Sequence, residues 1–245
     1  MSAARPRRRQ LLGAALLVVA VSAVLALALG SRHGTGSGGS PATTSRAAAP
    51  AQTPGPAAPS LPRVDLAELR WTGYHGVELP SAPAAGPRDI VGGLASGYSD
   101  TPLGALVAAV NIAVRANAQW GPGIYIPTIR DQVTGPDAAA LLASCQSAYS
   151  QASQAAHVSD GQAVGNAYVI EQAFRWVAYT PSDATIDLVS AGPGSQGVTV
   201  LATTRIEVVW SGGDWRVVAP PEGDWGNAAA PLSSLSGYTI FPGQG

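Results

Sequence analysis

Lysine is absent from the chain and charged residues of either sign reach only 12% of it, about half the usual share of a soluble domain. Arginine therefore carries every side-chain positive charge besides histidine, and a clustered basic surface for duplex nucleic acid is not expected, because phosphate neutralisation needs many cations on one face. A single cysteine, Cys145, excludes an internal disulfide and any metal site built from several thiolates. Histidine is scarce too, with His33, His75 and His157 as its only examples. Absent altogether are the GxSxG elbow, the P-loop and the HExxH helix, and with them common signatures of acyl transfer, nucleoside-triphosphate binding and zinc hydrolysis. No catalytic residue, cofactor or metal is assigned from the sequence. What the chain has instead is apolar content of 46% alongside 29 Gly and 20 Pro, so one part folds and another links.

The charges are unevenly placed. Arg5, Arg7, Arg8 and Arg9 precede every acid, whereas ten arginines face fifteen acids from Ser31 onward. Behind the four arginines, Leu11–Leu29 is an uncharged run that includes Leu11, Leu16, Val19, Val24 and Leu29. At ~1.5 Å per residue such a helix reaches close to the ~30 Å hydrocarbon core, which predicts a transmembrane helix over 11–30. The positive-inside rule keeps residues 1–10 as a cytoplasmic basic tail and places the remainder outside, a single-pass arrangement in the cell membrane with the lipid bilayer as first partner. A cleaved signal peptide is the alternative, since Ala26-Leu27-Ala28 has the small-x-small form of a cleavage site. Residues 31–62 are mostly Gly, Ser, Thr, Ala and Pro, with Arg32, Arg46, His33, Gln52 and a single larger aliphatic residue, Leu61, and read as a disordered tether with a span of ~30 Å.

Residues 63–245 form one extracytoplasmic domain, divided into an irregular arm over 63–99, helices and sheet over 100–219, and a C-terminal wrap over 220–245. Ser99-Asp100-Thr101-Pro102 signals a helix start, with a capping side chain before Pro at the first position, and Leu103, Leu106, Val107, Val110 and Val114 recur as one apolar stripe. Pro127 interrupts the next segment, and a second helix starts near Pro136-Asp137 with Leu141, Leu142, Cys145 and Tyr149 inward. Period-two alternation then predicts strands over 167–179, 184–190, 198–210 and 215–219, joined by tight turns that demand antiparallel neighbours. Phe174 and Trp176 share the first strand's core face, and alternation sets Glu171 with Arg175 on the wet face, where Asp187, Arg205 and Glu207 offer cross-strand charge pairs. The expected class is α+β: an N-terminal transmembrane helix, then helices packed on a curved, cone-like, four-stranded antiparallel sheet. In the wrap, Trp225, Tyr238 and Phe241 either pack back on the domain or form a candidate partner interface, and Tyr238–Phe241 is placed to add an edge strand.

The stretch Thr203–Val217, with its Gly-Asp turn and Asp214-Trp215-Arg216-Val217, resembles the cone-shaped nuclear-transport-factor-2-like superfamily. A longer pattern runs through Trp71, Gly76, Leu79 and Pro80, then Gly97–Ala105, Asn111-Ile112-Ala113 and Leu235-Ser236-Gly237-Tyr238. It resembles a group of actinobacterial membrane proteins of conjugative elements whose function is unknown. In architecture the whole is similar to the bitopic inner-membrane assembly factors of type IV secretion. What the resemblance implies is a scaffold or assembly protein of a conjugative transfer or secretion apparatus; with anchor, tether and a domain without catalytic signatures, the expectation is a non-enzymatic protein that contacts envelope or secretion proteins or self-associates into a homo-oligomer. The alternative is an anchored or secreted small-molecule-binding or isomerase-like cone. An inward Asp, Glu or His lining a cavity favours that alternative, and a cavity filled by Trp176 and Trp210 removes it.

Overall fold

The computed structural model describes residues 61–166, 169–194 and 198–243. The basic residues Arg5, Arg7, Arg8 and Arg9, the apolar run with Leu11, Leu16, Val19, Val24 and Leu29, and most of the tether lie outside the described residues. Among the described residues no helix is long and apolar enough to cross a membrane.

The arm expected to be irregular is two hairpins. Strands β1 (Arg70–Tyr74) and β2 (Val77–Ser81) pair antiparallel around His75 and Gly76, with φ of 49° and 89°. Strands β3 (Asp89–Val91) and β4 (Leu94–Ser96) do so around Gly92 and Gly93, with φ of 58° and 85°. Two-residue loops with both central φ positive match the right-handed twist of paired strands, and glycine reaches that region without steric cost.

Helix α1 (Pro102–Arg115) begins as its sequence demands: Thr101 is extended and its Oγ1 accepts the Gly104 N–H at 3.1 Å. Most of the helix is buried, because Ala105, Ala108 and Ala109 on its narrow side allow close approach on both flanks. Asn111 ties it to β2 by donating to the Pro80 carbonyl at 2.8 Å, and Arg115 donates to the Gly93 carbonyl at 3.1 Å, holding the second hairpin. Helix α2 (Pro122–Gln132) forms despite Pro127 in its interior. The carbonyl that loses its donor there belongs to Gly123, an exposed residue, and the Thr128 hydroxyl donates to the next carbonyl, that of Ile124. Strand β5 (Val133–Thr134) follows, then helix α3 (Ala138–Ala156), which ends at His157 in the left-handed region.

Strands β6 (Ile170–Tyr179), β7 (Asp183–Pro193), β8 (Thr199–Ser211) and β9 (Asp214–Val218) form an antiparallel meander. The expected four-stranded antiparallel sheet is nonetheless a correction: the sheet has seven strands and is mixed. β5 pairs parallel with β9, at Val133 with Val217 and Thr134 with Val218. The C-terminal wrap returns twice, as β10 (Ala229–Leu232) beside β8 and as β11 (Thr239–Ile240) beside β6. Three strands of two to four residues are too short for alternation to reveal, and each exists only because a longer neighbour supplies its hydrogen bonds.

Candidate functional site

Strand β6 decides what lines the space between α1 and the sheet. Residues directly opposite one another share a face, so Phe174, Leu188 and Thr204 lie on the inner side of three neighbouring strands, as do Ile186 and Ile206. Arg175, Asp187 and Arg205 stand opposite one another on the outer side. Strict alternation from Phe174 would put Glu171 outside with Arg175. The register instead shifts between Glu171 and Ala173, leaving Gln172 as an extra residue in β6. Such a bulge inverts the parity of everything before it. Ile170 is thereby turned outward and is 50% exposed, while Glu171 is turned inward and is 4% exposed. The expected wet-face position of Glu171 is corrected by this one residue.

Glu171 faces Ser190 across the β6–β7 ladder, and the Ser190 hydroxyl donates to its Oε2 at 2.8 Å. The carboxyl borders a cavity of about 60 Å³, closed on the sheet side by Leu188, Ala202, Thr204 and Ile206. Ala113 and Val114 of α1 form the opposite wall, with Val77 of β2. Trp120 and Trp225 complete it, each fixed by its indole N–H, the first donating to the Val114 carbonyl and the second to that of Ala116 at 3.2 Å. Helix α1 and the residue that caps its end thus supply both the wall and the carbonyls that orient the two rings.

The electrostatics of the cavity are one-sided. Among the described residues Glu171 is the single titratable side chain lining it, and no Arg or His stands in its walls. Burial with no compensating cation pushes its pKa up to about 7, and the Ser190 hydrogen bond opposes that rise only in part. A carboxyl poised there holds a proton below neutrality and accepts one readily above it. Gln119 lines the same cavity, and its buried Nε2 has no hydrogen-bond partner among the described residues. The arrangement offers an apolar body of space with a carboxylic acid and an unmet amide donor at its edge.

A larger groove of about 520 Å³ lies on the outer face, bordered by Arg175, Asp187, Arg205 and the Pro220–Pro221 turn. Three of its charges are spent on one another, while Glu207, which also lines it, makes no ion pair among the described residues. Asp187 accepts from Arg175 at 2.6 Å and from Arg205 at 2.8 Å, and the ring of Tyr238 lies 4.6 Å from the Arg175 guanidinium carbon. The Arg175–Asp187–Arg205 cluster is a paired surface, and the smaller cavity, with a buried acid that has no cation beside it among the described residues, is the better candidate.

The residues singled out in the sequence fall elsewhere or change role. Trp225 and Phe241 are buried in the domain's own core, Phe241 against Trp71 and Phe174 with ring centroids 5.3 Å and 5.1 Å away, so these two members of the candidate interface pack back on the domain. Tyr238 stays half-exposed over Arg175. Trp176 and Trp210 do not fill the cavity; the first packs on Phe174 and Tyr179, the second on Trp215. His75 sits in its hairpin turn and His157 closes α3. Cys145 is buried, and burial pushes its thiol up to about 12. Sequence reasoning put Glu171 on the wrong face, since nothing local marks Gln172 as the bulge, and missed Gln119, Trp120 and Ser190 as cavity residues.

A protein family described as a domain of unknown function (DUF8175) matches residues 32–240. The chain belongs to that family. The match takes in the cavity, all three helices and the greater part of the tether, so the DUF8175 region extends well before the first strand. No curated protein and no solved structure matches the chain.

Proposed function

We propose that the domain is a small-molecule-binding module held on the outer side of the cell membrane. The observation that carries this reading is Glu171: a carboxyl buried in an apolar cavity with no cation to neutralise it. A core gains nothing from such a group, since an apolar side chain of similar size avoids the desolvation cost. Binding is favoured over turnover, because among the described residues no second titratable group lines the cavity to share acid and base roles with Glu171. The test uses the full-length protein and a panel of small apolar molecules, read by thermal unfolding. Ligands that enter the cavity raise the midpoint of the wild type and lose that effect in Ala113→Leu, whose added carbons occupy the space from α1. Equal stabilisation of both proteins, or none of either, would sink the proposal.

A second reading is favoured by the first sixty residues: a single-pass scaffold or assembly protein of a conjugative transfer or secretion apparatus. Four arginines before the apolar run Leu11–Leu29, then a Gly-, Ser- and Pro-rich tether, suit a domain that reaches into the envelope. In-cell cross-linking of the full-length protein with intact-mass measurement of its N-terminus tests it. An uncleaved N-terminus joined to envelope or secretion proteins, or to a second copy, supports the scaffold. A chain that starts near Leu29 and captures nothing removes it.

A further inference from the structure

We infer that the occupant of the Glu171 cavity is an uncharged molecule of about half a dozen heavy atoms with an apolar body and a carbonyl oxygen, and that it binds only while Glu171 carries its proton. The inference rests on the ligand-binding reading above and names the chemistry the cavity selects. Size comes first: a cavity of about 60 Å³ holds roughly four to six water-sized atoms, which excludes lipids, peptides and nucleotides. Polarity comes next. The walls are Val77, Ala113, Val114, Leu188, Ala202 and Ile206 with two indole rings, so most of the occupant's surface is apolar.

Charge and hydrogen-bond sense then separate three ligand classes. An anion would meet Glu171 with no cation among the described residues of the cavity to offset the repulsion. An ammonium would attract the carboxylate, but both ions would be desolvated, and the buried Nε2 of Gln119 would face a second group able only to donate. A carbonyl oxygen satisfies what is left over. It accepts from protonated Glu171, whose Oε2 is already engaged by Ser190, and it offers a partner to the Gln119 amide. Asn117, Ser190 and Thr204 are the remaining polar side chains of the cavity, and none of them titrates near neutrality. Glu171 alone therefore sets the pH dependence: an ionised carboxylate turns from donor to acceptor and repels the carbonyl.

The experiment uses three probes of one shape, cyclopentanone, methylenecyclopentane and cyclopentylamine, titrated into full-length protein labelled with ¹⁵N-tryptophan in lipid nanodiscs, with empty nanodiscs as the reference for partitioning. The indole N–H signals of Trp120 and Trp225, which line the cavity, report occupancy. Cyclopentanone is expected to shift both signals, and with Glu171 titrating at about 7 its Kd weakens by about a hundredfold from pH 6 to pH 9. Methylenecyclopentane, which lacks the oxygen, binds at least ~10-fold more weakly with no pH dependence, and cyclopentylamine does not bind. Glu171→Gln keeps a neutral donor in place, so it retains cyclopentanone binding and loses the pH slope. If the amine or the hydrocarbon binds as tightly as the ketone at pH 6, or if the slope persists in Glu171→Gln, the carbonyl class is overturned while the ligand-binding reading stands. No shift of either indole with any probe overturns both.

Discussion

Two carboxylates on neighbouring strands are equally hidden from water, Glu171 at 4% and Asp187 at 3% exposure, yet they meet opposite fates. Asp187 looks outward from β7 between two arginines whose side chains are 47% and 57% exposed. Burial works against its charge, but the hydrogen bonds from Arg205 and Arg175 outweigh that and hold its carboxyl below the ordinary value of 3.8. Glu171 looks inward from β6, has one neutral donor, and rises above its ordinary 4.5. Two flanking cations keep Asp187 charged, whereas Glu171 is more deeply enclosed and has only a neutral hydroxyl beside it. The outer pair stabilises the sheet, whereas the inner acid is a cost the fold carries.

That contrast has measurable consequences of opposite sign in pH. The raised pKa of Glu171 means that the native state keeps a proton the unfolded chain loses above 4.5, so stability falls as pH rises from there to about 7, in total by about 3 kcal/mol. Glu171→Gln should flatten this limb, leaving a variant more stable than the wild type at pH 8 by a similar amount; equal urea midpoints at pH 8 would contradict it. Asp187→Asn attacks the other side. It weakens three charge-assisted hydrogen bonds from two arginines, and its expected cost of about 2 kcal/mol at neutral pH shrinks as pH falls below the ordinary 3.8 of the aspartate, where the wild type loses the same contribution. Between 3.8 and 4.5 both carboxyls favour the fold fully, and chemical denaturation across that range should place their joint maximum there.

Ser190→Ala sharpens the comparison by removing the sole donor to Glu171. Its cost is about 1 kcal/mol above neutrality, where the ionised carboxylate needs the hydroxyl most, and smaller at pH 5. A pH-independent loss would mean that the serine acts through packing alone. The smallest effect concerns the other raised group: native Cys145 should resist iodoacetamide at pH 8 and react at the ordinary rate in urea, as mass spectrometry would record.

The parts of the fold that alternation and capping govern were legible in the amino-acid sequence. Thr101-Pro102 marks the start of α1, and Asp187 with Arg175 and Arg205 can be placed on one face by counting in twos. The hairpins at His75-Gly76 and Gly92-Gly93 carried a usable signal, since two-residue loops with glycine between extended runs favour tight turns. Other features depend on partners far along the chain. Val133 and Thr134 are a strand because Val217 and Val218 lie beside them, and Pro127 is tolerated because the carbonyl it deprives is at the surface. Glu171 was misplaced for a related reason: its direction is set by the pairing of β6 with β7 and not by its neighbours in sequence.

The extra residue at Gln172 gives this family an unusual evolutionary lever. Losing one codon would return Glu171 to the solvent face and send Ile170 into the space it left, so that relatives with and without a buried acid can be a single deletion apart. A census of strand length at this position would therefore separate members that keep the acid from members with a plain core, before any of them is purified.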